Sequence, residues 1–179
     1  LIASDSYELV AGIDPDRTRR DVFEALTGVS AFSSMEEWSG ASDIFIVATP
    51  TKYHAKTVHS VAERRPLGIL LEKPIGQDRF DTEAIVDVLS RIESRVAVNY
   101  MRAYVPAYQA LGQQIRNGFF GRFSSGLLSY SNGLLHTGSH YIQLLQSLFG
   151  ERGEIASIQT SSYDSDSYSA FVLRIGGGE

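Results

Sequence analysis

Gly68-Ile69-Leu70-Leu71 is a short run with no polar residue, and it ends abruptly against Glu72-Lys73-Pro74. Such a run, without polar alternation, fits a strand of a parallel sheet covered on both faces. Pro74 lacks an N–H and disfavours helix at Lys73, so the strand stops there and Lys73 is held extended. Ligands of open α/β sheets bind outside the carboxyl ends of the strands. An acid and a base at that edge are therefore placed where chemistry can occur. Taken alone, Glu-Lys-Pro describes a surface turn equally well, so the neighbouring segments decide its meaning.

Those segments alternate. Tyr7–Ile13 is an expected strand ending in Asp14-Pro15-Asp16, followed by a helix over Arg17–Leu26 and a short edge strand, Val29–Phe32. Ser34 is expected to cap a brief helix, Met35–Trp38. A buried strand over Asp43–Ala48 runs into Thr49-Pro50-Thr51, and Lys52–Arg65 carries apolar residues at helical spacing. After Gly68–Leu71 come a helix over Asp81–Ile92 and a strand over Val96–Tyr100. Strand and helix alternating at this spacing predict a doubly wound α/β fold, a Rossmann-type parallel sheet. Beyond Tyr100 the rhythm changes. Helices over Pro106–Asn117 and His136–Phe149 are interleaved with polar-alternating strands over Gly121–Tyr130, Glu154–Ser162 and Tyr168–Ile175. That pattern predicts a partial α+β second domain with an open mixed sheet, giving residues 1–102 and 103–179 as the two domains.

Composition excludes several function classes. A formal charge of −5 with no Lys/Arg cluster argues against a nucleic-acid groove. No run approaches a membrane span, and the first residues lack a signal-peptide layout. With no cysteine, a disulfide framework and thiolate chemistry are ruled out, which suits the cytoplasm.

Three stretches carry functional signals. Asp14 ends what reads as the second strand of a dinucleotide fold, where an acid bonds the adenosine ribose hydroxyls and repels a 2′-phosphate; Asp-Pro-Asp is also an ordinary turn. The glycine-rich phosphate loop should lie about 20 residues earlier, yet Gly12 is the only glycine before Asp14. The first, central strand and its loop are thus missing from these residues, and the strands ending at Asp14 and Ala48 are expected to flank a gap. In Thr49-Pro50-Thr51-Lys52-Tyr53-His54 a strand gives way to a helix, so free N–H groups and hydroxyls face the sheet edge. A capped helix with a solvent-facing histidine is the plain alternative. Finally, His136 and His140 are four residues apart and can share one helix face. No Glu follows His136 and no third ligand is evident, so no metal is expected there. The two histidines could also be purely structural.

Together, Gly12-Ile13-Asp14, Ala48-Thr49-Pro50-Thr51-x-x-His54, Glu72-Lys73-Pro74-Ile75, Tyr100-x-Arg102-x-Tyr104-x-Pro106 and Gly138-Ser139-His140 resemble the glucose-fructose oxidoreductase and inositol dehydrogenase-like (Gfo/Idh/MocA) family. The resemblance runs from about Glu8 to Gly150. It implies a nicotinamide-dependent dehydrogenase acting on a hydroxyl or carbonyl of a sugar, nucleotide sugar or cyclic polyol, with NAD favoured over NADP through Asp14. Arg17 nearby could soften that choice. By the same resemblance Thr49, Pro50 and His54 lie along the nicotinamide half and Glu72 contacts the nicotinamide-side ribose. Lys73 reaches the reacting carbon–oxygen group, and Arg102 lines the junction of cofactor and substrate unless it only stitches the domains by an ion pair. His140 matches the family's proton-transferring histidine in Asp-x-Gly-x-His, whereas His136 stands where the acid is usual. A homo-oligomer formed through the second-domain sheet is implied as well. A non-catalytic dinucleotide-sensing regulator and an NAD-dependent glycosidase are the alternatives.

Overall fold

The computed structural model describes residues 5–121, 133–150, 153–160 and 169–175. The expected strand over Gly121–Tyr130 lies outside them from residue 122 on, as do the opening residues 1–4. The first strand, β1 (Gly12–Ile13), pairs in parallel with β2 (Ala31–Phe32), and α1 (Arg17–Thr27) connects them. Asp16 caps α1 by accepting from the N–H groups of Thr18 and Arg19, and Gly28 ends it in the left-handed region at φ 71°. A Cβ on Gly12 would lie 2.6 Å from the Phe23 ring. Glycine there lets α1 close directly onto β1.

The expected strand Tyr7–Ile13 is regular only over Gly12–Ile13. Its ladder partners are Ala31 and Phe32, and β2 offers no longer run to pair with. Tyr7 and Val10 are exposed. Met35–Glu37 form a turn rather than the expected helix. Arg64 accounts for this by donating to the carbonyls of Met35 (2.5 Å) and Trp38 (2.9 Å), which fixes the segment from outside.

The second sheet is β3 (Ile44–Val47), β4 (Gly68–Leu71) and β5 (Arg95–Val98), parallel and in sequence order. A short 3₁₀ turn, Thr51–Tyr53, leads into α2 (His54–Glu63), and α3 (Arg79–Ser90) joins β4 to β5. Successive right-handed crossovers in one direction place both helices on the same face. That face holds the core: Val47, Val58, Val61, Ile69, Leu71 and Ile85. On the opposite face Ile44 and Ile46 remain 45% and 44% exposed, so β3 is not covered on both sides as its apolar run suggested. Among the described residues β1 and β3 are not bonded to each other, in keeping with the expected strand order. Leu71 is fully buried at the centre of this core. Leu71→Ala in the full-length protein is expected to cost about 2–5 kcal/mol, read from urea denaturation. A loss below about 1 kcal/mol, more typical of a surface change, would contradict the assigned packing.

Past β5, a 3₁₀ turn at Met101–Tyr104 leads into α4 (Pro106–Arg116), which begins with proline in its first turn. A π turn, Leu134–Gly138, precedes α5 (Ser139–Phe149), closed by Gly150 in the left-handed region. Arg116 donates to the carbonyls of Ser147 and Leu148, tying α4 to the end of α5. Strands β6 (Gly153–Thr160) and β7 (Ser169–Ile175) pair antiparallel. Parallel strands with flanking helices and a separate antiparallel sheet together match the fold expected from sequence.

Candidate active site

Strand register decides what meets at the edge. Val47, Leu71 and Val98 are paired across β3, β4 and β5, and the ladder continues for one step beyond. The Glu72 N–H donates to the Val47 carbonyl (2.9 Å) and the Asn99 N–H to the Leu71 carbonyl (2.8 Å). Three chain ends thus leave the sheet level with one another, carrying Thr49, Glu72-Lys73 and Asn99-Tyr100.

Glu72 is fixed by Asn99, whose Nδ2 donates to its Oε1 at 2.6 Å. The half-buried Lys73, joined to Pro74 by a cis peptide bond, donates from Nζ to the His136 carbonyl at 3.2 Å. This contact brings the π turn against the end of β4. His136 therefore meets Lys73 through its main chain, while its ring is exposed. Gly133, at φ 75°, accepts from both Thr137 and Gly138 and so starts the π turn that runs into α5.

His140, in the first turn of α5, is partly buried and meets the Tyr100 ring edge-on, with centroids 5.6 Å apart. Its Nδ1 is buried and has no hydrogen-bond partner. Burial pushes its pKa down, and the cations of Lys73 and Arg102 add to this, while Glu72 opposes them. These effects favour the neutral ring. Arg102, in the turn after β5, lies over the Tyr141 ring at 4.5 Å, and its Nη1 is buried without a partner. Gln143 Oε1 is a second such atom on α5.

His54 differs from the plain expectation of a solvent-facing residue. It is 1% exposed, with Nε2 2.8 Å from the Thr49 carbonyl and Nδ1 3.0 Å from the Ile75 carbonyl. A neutral imidazole donates through one nitrogen only. Whichever nitrogen bears the proton, the ring sits between the loop after β3 and the loop after β4. Thr49 Oγ1 is buried and unpartnered, and Pro50 is exposed.

Asp14 stands at the end of β1. Its Oδ1 accepts from the Asp16 N–H at 2.8 Å, and Oδ2 lies 3.9 Å from Arg19. The cation beside it is thus Arg19, not Arg17, which pairs with Asp21. Arg20 braces the same turn through the carbonyls of Asp14 and Pro15. Sequence reasoning missed Asn99, Tyr141 and Gln143, and it gave Tyr100 no role. Asn99 was within reach of it, because a parallel register places the residue after β5 beside the residue after β4.

Residues 1–100 match the oxidoreductase family of Gfo/Idh/MocA proteins, described as having an NAD-binding Rossmann fold. The chain belongs to this family. Among curated members, the rhizopine catabolism protein MocA of Rhizobium meliloti is 31% identical over 120 residues, 66% of this chain and 37% of that protein. Inositol 2-dehydrogenase of Arthrobacter sp. (strain FB24) is 31% identical over 114 residues, 62% of this chain and 34% of that protein. This chain accordingly spans about a third of the length of these curated Gfo/Idh/MocA relatives. Among solved structures, the WlbA dehydrogenase from Bordetella pertussis, in complex with NADH and UDP-GlcNAcA, superposes with a TM-score of 0.74 at 23% identity, covering 91% of this chain and 53% of that one. Myo-inositol 2-dehydrogenase from Lactobacillus plantarum gives 0.74 at 17% identity, covering 90% and 54%. These superpositions establish the shared fold.

Proposed function

We propose that the full-length protein is an NAD-dependent oxidoreductase moving a hydride between the nicotinamide and a hydroxyl-bearing or carbonyl carbon of a sugar, nucleotide sugar or cyclic polyol. The observation that carries this reading is the meeting of Glu72, Lys73, Arg102 and His140 at one edge of the sheet, where burial and the two cations lower the His140 pKa. Family membership and the dehydrogenase names of the relatives support it.

The residues present suit a dinucleotide. Asp14 keeps one carboxylate oxygen only loosely held by Arg19, free to accept from a ribose. Glu72 is held in place by Asn99 for the second ribose, and the Thr49 hydroxyl and Pro50 border the same edge. His54 serves the nicotinamide half by holding the loops of Thr49 and Ile75 together. Bound there, the cofactor would supply hydride acceptance and donation. His140 takes the hydroxyl proton of the substrate as general base. Lys73, on the same oxygen, stabilises the negative charge that develops there. His136 contributes its carbonyl, which holds the Lys73 ammonium, and supplies no carboxylate. Tyr100 fixes the His140 ring by its edge contact. Residues 1–102 would form the cofactor domain and 103–179 part of the substrate domain, whose sheet would also carry a homo-oligomer contact. No helix among the described residues is long and apolar enough to cross a membrane, and the cytoplasm is the proposed location.

NADH formation by the full-length protein with a panel of polyols and sugars tests this reading. Absence of turnover alongside normal NAD binding would favour a regulator. Cofactor choice supplies a separate check. Asp14→Ser should weaken NAD and raise the NADP/NAD ratio of kcat/KM, because repulsion of the 2′-phosphate is relieved. A wild-type protein that already prefers NADP would reduce Asp14 to a turn residue.

A further inference from the structure

Among the described residues the charges acting on His140 do not balance: Lys73 and Arg102 are two cations, and Glu72 is the one anion opposing them. Among the described residues neither cation has an ion pair with a carboxylate. Lys73 donates to a carbonyl and Arg102 stacks on a ring. The turn before α5 brings the His136 carbonyl to Lys73 and no carboxylate. Arg102 Nη1 is buried and unpartnered, and a buried donor left unpaired is costly. Its planar fork matches carboxylate and phosphate oxygens.

Building on the oxidoreductase reading, we propose that the substrate carries an anionic group, a carboxylate or a phosphate, close to the reacting carbon, with Arg102 as its anchor. A sugar acid or sugar phosphate fits this site better than a neutral polyol. Gln143 Oε1, the other unpartnered buried atom on α5, would accept from a neighbouring substrate hydroxyl.

Matched pairs test the charge directly. The full-length protein, saturated with NAD, would be titrated calorimetrically with gluconate against glucitol and with glucose 6-phosphate against glucose, with NADH formation followed in parallel. At least one anion should bind about tenfold or more tighter than its neutral partner, the scale of one charge-assisted hydrogen bond. Gluconate alone showing the advantage identifies a carboxylate; glucose 6-phosphate alone identifies a phosphate. Arg102→Gln should shrink the ratio and Arg102→Lys should restore part of it. Equal affinities within both pairs, a preference for the neutral members, or no binding of any of the four overturns the proposal. Anion binding without NADH formation would instead leave this proposal standing and count against the redox reading.

Discussion

Lys73→Ala in the full-length protein is expected to reduce turnover by at least about a hundredfold, the lower end of what a positioned acid–base group contributes, while NAD still binds. The ammonium is placed by three constraints: the end of β4, the proline that follows, and the His136 carbonyl 3.2 Å from Nζ. The Lys73 side chain itself is not part of the sheet core, so removing it should leave the fold intact. An ammonium aimed at a reacting oxygen is most useful when that oxygen becomes negative, which is why the loss should fall on kcat. Stopped-flow measurement of NADH formation, with NAD affinity measured in parallel, separates the two. Near-normal turnover would contradict the assignment and favour a dinucleotide-sensing regulator.

His140→Ala should lose a similar factor, again with NAD binding retained. Here pH adds a second readout. A general base must be neutral to accept a proton, so kcat/KM should rise with pH through the His140 pKa. Burial and the Lys73 and Arg102 cations push that pKa below its ordinary value, so the acid limb should have its midpoint below about 6.5. Arg102→Gln removes one of the cations, which should move the limb upward. An acid limb that stays in place in Arg102→Gln would separate His140 from the charges assigned to it. A limb that persists unchanged in a still-active His140→Ala would remove it from the base role.

The sheet was legible because strand identity depends on local pattern: Gly68–Leu71 is regular over the range its apolar run indicates. Burial was less so. The same kind of run in Ile44–Val47 leaves Ile44 and Ile46 exposed, because both crossover helices lie on the other face. At His136 the sequence does not disclose that the ring is exposed while the carbonyl meets Lys73. His54 shows a further limit. Its position in the motif is compatible with a ligand contact, but only the fold reveals that two carbonyls enclose its ring. Lys73, Arg102 and His140 stand out in the sequence through motif and edge position. The structure unites them because β4, β5 and α5 converge, a long-range fact that no local spacing contains. Asn99 could have been anticipated from parallel register alone.

The most direct test of the account is a crystal structure of the full-length protein with NAD bound. Adenosine ribose hydroxyls are expected on Asp14 and the nicotinamide-side ribose on Glu72. The reactive face of the nicotinamide is expected toward the space between Lys73 Nζ and the His140 ring. A nicotinamide lying away from that space, with Lys73 and His140 both remote from its reactive carbon, would contradict it.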